Sequence, residues 1–413
     1  MTPPAPVVGI PFSEPSGRPD AVFASGAEPA PLRLPPARPP GGVALAREWV
    51  ADVAEVSCAG AGLDALLLAS ESPEELFGML LAAARLDLPT VCEAPPGTPP
   101  AAAVAALGFG PLSGDAAGVV AGIASDGGPR PAGLLDNFSL ANALRAGVAA
   151  GGGPELLVHL SALAREAGVV GFAQMIRVLA PETPASDPAW TRENGVPALL
   201  ASLGEDLHDV PTVEGPLKKG VPPAPARPEH HRLLFVRALA SGAEVVCRVP
   251  VGAGEISGAC RVFGSEEAAV RAVRAGETSD GTVLVVNGCG PRGGAGLLRL
   301  DALETALREA GSPLPVVTDG LPPADAAGTW ACMFAPEAAM GGVTGRLRDG
   351  DTLRISFEEG RIRTGVGARE LAGREPHAST GRAGGVAGAG YASRYARAAL
   401  PGLEGAGFGR DIG

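Results

Sequence analysis

The stretch GCGPRGG at 288–294 spaces its glycines as G-x-G-x-x-G directly after an apolar run. That is the pattern whose backbone amides cradle a dinucleotide pyrophosphate, provided a helix begins inside the motif. Pro291 and Arg292 interrupt it here, and the next helical pattern starts only near Asp301, so a tight glycine loop is the expectation. His159 lies on an apolar helix face, VHLSAL, where a hydrogen-bonded core histidine is expected. His208, in EDLHDV, has carboxylate neighbours of the kind that raise an imidazole pKa. His230 and His231 fall in a Pro-rich tract and read as solvated surface. Lys218 and Lys219 are the only lysines, so Schiff-base or lysine-base chemistry would have to use that adjacent pair; after Pro216 they read as a solvated turn. The cysteines, Cys58, Cys92, Cys247, Cys260, Cys289 and Cys332, show neither CxxC nor a metal-ligand spacing and read as buried thiols. No G-x-S-x-G elbow, H-E-x-x-H or P-loop is present.

The elements that must position these residues fall into two textures. In 46–215, AREWVADVAEV is helix-like and GLDALLLAS is a short buried strand. SPEELFGMLLAAARL is a second helix, with Ser72 ahead of Pro73 and Glu74 as its start signal, and LPTVCEA is the next strand. Strand–helix–strand with continuously apolar strands predicts a parallel sheet, and helical patterns continue to GVPALLASLGEDL. The Pro-dense, aperiodic tract PTVEGPLKKGVPPAPARPEHHR at 211–232 marks the domain boundary, with 216–232 as linker. From 233 to 372 the runs are short and β-rich (AEVVCRVPV, GACRVF, GTVLVVNG, PLPVVT, DTLRISF, GRIRTGV). Two helices interrupt them, SEEAAVRAVRA and DALETALREA, the second with Asp301 and Glu304 at capping-box-like spacing. Residues 1–45 read as a Pro-rich, extended or loosely packed arm, and 373–413 as a Gly/Ala-rich tail with one helix-like piece, YASRYARAAL. The expected class is α/β: a parallel-sheet domain followed by a β-barrel of the swivelling type.

Composition narrows the partners. Gly and Pro make up about a quarter of the 413 residues, just short of a low-complexity load, yet 46% hydrophobic content is enough for a core. The 45 acidic against 33 basic residues leave a net charge of −12, which disfavours a broad nucleic-acid surface. Mean hydropathy is only +0.19 and no apolar run approaches the ~20 residues of a spanning helix, so no membrane partner is expected. The opening MTPPAPVVGIP lacks a basic segment followed by an apolar one, and a cytoplasmic protein is the expectation.

In order along the chain, these blocks resemble the dihydroxy-acid dehydratase / 6-phosphogluconate dehydratase family. The C-terminal half carries ACRVFGSEEAA at 259–269, GPRGGAG at 290–296, VVTDG at 316–320, APEAAMGG at 335–342 and GYASRYAR at 390–397. The first half adds AREWVADVAE, GMLLAAARLDLPT, AGGGPELLVHLSALAREAG and DLHDVPTVEG. The resemblance implies an N-terminal α/β domain, a C-terminal β-barrel, and an iron–sulfur cluster with Mg²⁺ between them. In that family the cluster acts as the Lewis acid that removes a hydroxyl, and a serine takes the neighbouring proton. Thiolates suit such a cluster, and hard oxygens suit Mg²⁺.

Carried over residue by residue, the family's ligands are replaced. Ser72, Pro73 and Glu74 stand where the family has Cys-Asp-Lys, and Gly110 where it has a second cysteine. Arg299 stands at a metal-binding glutamate, Pro323 at the base serine and Met333 at a histidine. The resemblance therefore implies the fold without iron–sulfur cluster or Mg²⁺. The expected site is an altered cleft, with Glu74, Asp115, Asp319 and Asp325 as acid/base groups and Ser72 and Arg299 binding a small anionic carboxylate; Glu75 lies beside it. The functional expectation is a cluster-free, lyase-like enzyme. The alternative is a non-catalytic member acting as partner or scaffold, in either case as a homodimer.

Overall fold

A computed structural model of the chain describes residues 4–12, 17–35, 41–220, 224–238, 242–376 and 390–409. Two compact units emerge. The first takes the described residues up to 35, together with 46–152 and 159–229. The second takes 41–45, 153–158 and the described residues from 230 on.

The first unit is built on a parallel sheet of β1 (Val7–Phe12), β2 (Glu28–Arg33), β3 (Ala65–Ala69) and β4 (Thr90–Glu93), in the order β2-β1-β3-β4. This corrects the reading of 1–45 as an arm. β1 is an inner strand with Val8 and Ile10 buried, joined to β2 through the helix Arg18–Ala24. The prolines that suggested loose packing are placed where a strand tolerates them. Glu28 and Leu34 donate their amides to Pro6 and Phe12, so the even-numbered residues of β2 face β1. Pro29 and Pro31 then turn their missing N–H groups toward the open edge of the sheet. At Gly9 of β1 the Leu63 and Leu66 side chains fill the space of a Cβ, which would meet Leu63 Cδ1 at 2.5 Å. Beyond the sheet, the helices Pro99–Ala106, Asn137–Ala149 and Pro188–Leu203 pack Ala102, Ala106, Ala146 and Ala149 against Leu199 and Leu200, small residues that let the helix backbones approach.

The second unit is a closed eight-stranded barrel of the order β10-β11-β12-β8-β7-β14-β13-β9. Its strands are β7 (His231–Ala238), β8 (Ala243–Pro250), β9 (Ile256–Phe263), β10 (Thr282–Val286), β11 (Val316–Thr318), β12 (Trp330–Ala335), β13 (Thr352–Ser356) and β14 (Arg361–Thr364). The two-stranded β5 (Pro211–Thr212) and β6 (Gly215–Pro216) belong to the first unit. Strand alternation sorts the apolar residues into two cores. Val245, Cys247, Val249, Val283, Val285 and Val317 fill one, while Leu284, Val286 and Trp330 meet the helices Glu266–Arg274 and Asp301–Glu309 in the other.

Several local expectations change. The linker 216–232 is anchored at both ends: Leu217 is buried in the first unit's helical core, and His231 starts β7 and is 1% exposed, not solvated. His230 is exposed, as expected. Asp301 is not a helix cap. Leu300 occupies the N-cap position without a side-chain bond, and Glu266 Oε1 instead accepts the Leu303 amide at 2.9 Å. Of the tail, the described part 390–409 folds onto the second unit with the helix Tyr391–Ala398, and residues 41–45 do likewise through Gly42, Val43 and Ala44 amides donated to the 295–297 carbonyls. Among the described residues no helix is long and apolar enough to cross a membrane.

Candidate functional site

In the first unit, the end of β3 leads into Ser72, which caps the helix Pro73–Leu86: its Oγ accepts the Glu75 amide at 3.3 Å. The same hydroxyl donates to Glu74 Oε2 at 2.7 Å, and Ser70 donates to Glu75 Oε2 at 2.7 Å. Ser72, Glu74 and Glu75 thus form one polar network. Asp115 stands apart as the exposed N-cap of the helix Ala116–Asp126, its Oδ1 accepting the Gly118 amide at 2.8 Å.

In the second unit, the loops that follow the parallel strands β10, β11 and β12 converge, at the strand ends where α/β folds place ligands. Asp319 is fully buried there. Its Oδ1 accepts the Cys289 amide at 2.8 Å, and its Oδ2 accepts those of Gly288 and Ala338 at 3.3 and 3.1 Å. Glu337, 7% exposed, accepts the Arg292 and Gly293 amides, each at 3.0 Å at its shorter contact. The glycines of GCGPRGG make this possible, since a Cβ on Gly290 would sit 2.2 Å from Glu337 Oε2. The loop is indeed a ring of amide donors, but the anions it holds are the protein's own carboxylates. Burial raises the pKa of both acids against the lowering effect of these amides, and the Asp319 charge adds to the rise at Glu337.

Beside this pair lies a cavity of about 350 Å³, lined by Arg292, Asp319, Glu337 and mostly apolar side chains. Arg292 Nε donates to the Ala399 carbonyl at 3.0 Å, and its Nη1 lies 3.5 Å from Met340 Sδ. Among the described residues it makes no side-chain ion pair. Arg299 and Asp325, both expected in the site, do not line this cavity. Arg299 donates to Glu155 and Asp301 at 3.1 and 3.0 Å, and Asp325 pairs with Arg308 at 3.2 Å. Reading the sequence passed over Arg292 and Glu337. The signal for both was a block already noticed, GPRGGAG and APEAAMGG, in which Arg292 counted only as an interruption.

The remaining candidates are structural. His159 is buried with its ring stacked on Phe77, centroids 5.1 Å apart. His208 is exposed, and its backbone N–H and C=O pair with the Asn142 side chain. All six cysteines are buried, on separate strands, helices and loops. Burial pushes their pKa values up, to about 11 for Cys58 and about 12 for Cys260. Gly110 sits so that a Cβ would lie 2.9 Å from the Ala105 nitrogen. Among the described residues no group of three or more His, Cys, Asp or Glu side chains is placed to hold a metal ion.

The loops gathered around Asp319 and Glu337 are shared with known proteins. Residues 229–406 match the sequence model of the dihydroxy-acid/6-phosphogluconate dehydratase C-terminal family. Dihydroxy-acid dehydratases are similar over more of the chain. That of Citrifermentans bemidjiense is 30% identical over 272 residues, covering 59% of this chain and 49% of the relative. That of Methanoregula boonei is 31% identical over 251 residues (54% and 46%), and that of Geobacter metallireducens 28% over 314 residues (68% and 55%). Over residues 229–406 this chain belongs to the dihydroxy-acid/6-phosphogluconate dehydratase C-terminal family. It spans about half the length of the curated relatives it matches.

Proposed function

We propose that this dehydratase-family chain acts on a small organic anion by acid/base chemistry in the cavity of its second unit, without iron–sulfur cluster or Mg²⁺. The observation that carries this reading is Arg292, which makes no side-chain ion pair among the described residues though its charge acts on Glu337, beside two carboxylates whose pKa values burial raises. Arg292 supplies a fork for a substrate carboxylate, a role expected of Arg299, which already holds Glu155 and Asp301. Neighbouring carboxylates in a low-dielectric site favour sharing one proton. The ionised member takes the proton next to the substrate carboxylate, and the protonated member gives its own to a leaving hydroxyl, released as water.

The family's cofactors do not fit the residues present. The cluster requires accessible thiolates, whereas every thiol here is buried with a raised pKa, and Gly110 has no space for a cysteine side chain. A guanidinium at Arg299 replaces an oxygen ligand with a cation. A second reading, a non-catalytic homodimeric partner or scaffold, is favoured by one fact: all four oxygens of Asp319 and Glu337 accept backbone amides.

Two measurements decide. Anaerobically purified protein should contain neither iron nor sulfide, and a stoichiometric cluster would sink the proposal. Incubation with 2,3-dihydroxy acids, whose loss of water gives an enol that tautomerises to a 2-keto acid, should show turnover that Arg292→Met lowers at least about ten-fold. Binding without turnover across the panel selects the non-catalytic reading.

A further inference from the structure

Taking Arg292 as the anion holder, as proposed above, the geometry points to an arylalkyl monocarboxylate as the ligand class of this cavity. The walls around Arg292 are built from Leu297, Met333, Pro336, Met340 and Pro401, and among the described residues the polar side chains that join them are the acids Glu244, Asp319 and Glu337. Among the described lining residues no side chain carries a hydroxyl or amide, so the several hydroxyls of a sugar acid would find only carboxylates as side-chain partners and would otherwise lose water against apolar wall. A second carboxylate on the ligand would face Asp319 and Glu337, which leaves room for one negative group only. A volume of about 350 Å³ accommodates a ligand of about a dozen heavy atoms at the packing density of protein interiors.

The thioethers favour an aromatic body. Two of the five methionines line this one cavity, and methionine sulfur contacts ring edges favourably. Met340 Sδ lies 3.5 Å from Arg292 Nη1, so a ring beside that sulfur is one short linker away from a carboxylate on the guanidinium. Met333 is fixed in place. It adopts φ +52° where the β12–β8 pairing is interrupted, and its Sδ fills the space that a Cβ on Gly402 would enter at 2.9 Å.

Calorimetric titration of the full chain with 3-phenylpropionate, its neutral counterpart 3-phenylpropanol, D-gluconate and citrate tests the class. Phenylpropionate should bind at least about ten-fold more tightly than the other three. Arg292→Met should abolish that preference over the alcohol, and Met340→Gln, at a 53% exposed site, should weaken phenylpropionate about three-fold or more. If gluconate or citrate binds as tightly as phenylpropionate and depends on Arg292, the ligand class is overturned while the anion site stands. If no acid binds, or binding ignores Arg292→Met, the anion site falls and the ligand class with it. Should Arg292→Met fail to fold, Arg292→Lys, which keeps charge but loses the planar fork, replaces it, with a weakening of about ten-fold expected and no change overturning the assignment.

Discussion

Asp319 ties its own loop to two others. Its carboxylate gathers the adjacent amides of Gly288 and Cys289 and, from further along the chain, that of Ala338. Replacing one oxygen by an NH₂ sets donor against donor, so Asp319→Asn should destabilise the second unit by about 1–3 kcal/mol. Urea denaturation of wild type and variant reads this directly, and an unchanged midpoint would show that the amides find other acceptors. The cysteines make a complementary case. Each is buried and its pKa raised by desolvation, so the thiolate that reacts is scarce in the native state at every site. Ellman's reagent at pH 8 should therefore titrate no thiol within minutes in the native protein and all six after unfolding. Rapid reaction of even one would place a thiolate where a metal or cluster could find it. The residue scale was only partly readable in sequence: Cys burial followed from spacing and context, but the task of Asp319 depends on partners that converge only in three dimensions.

At the scale of elements, Gly110, which the resemblance sets at a cysteine position, leaves little room for one. It lies in the turn after the helix Pro99–Ala106, where the Gly110 amide donates to the Val104 carbonyl at 2.9 Å. A Cβ there would press on the Ala105 backbone at 2.9–3.0 Å, and backbone does not yield as a flexible side chain does. Gly110→Cys should accordingly cost about 1–3 kcal/mol of stability in the first unit and bring no iron with it. Thermal unfolding with iron analysis checks both outcomes. The helices and inner strands with strong periodicity, such as Pro73–Leu86 with its Ser72 cap and β3 with LLL at its centre, stood out in sequence. β1 and β2 did not. Prolines at 11, 29 and 31 and Gly9 broke the apolar pattern, and only the sheet reveals that an edge and a tight neighbour made those residues acceptable.

For the whole molecule, a net charge of −12 sets a background that opposes anionic ligands, and the cavity's own acids add to it locally. Burial raises Asp319 above its ordinary 3.8 and Glu337 above 4.5. As pH falls from 8 toward those raised values, the pair loses negative charge. A ligand that remains anionic throughout, 2-phenylethanesulfonate, should bind more tightly as pH decreases over that interval. Calorimetry at several pH values tests the sign, and affinity that falls with pH would place the binding site away from the two acids.

The amino-acid sequence alone determined the family, the α/β class and the β-barrel half. These depend on periodicity and on ordered blocks such as VVTDG and APEAAMGG, which survive local divergence. Through the resemblance it also gave the expectation that the ligand residues are replaced. What replaced them as a site was decided by tertiary structure. Whether an arginine is a binding group or half of an ion pair depends on which carboxylates surround it: Arg299 meets Glu155 from 144 positions away, while Arg292 meets a carbonyl and a thioether. Charge pairing and burial are set by neighbours across the fold, and linear spacing carries no record of them.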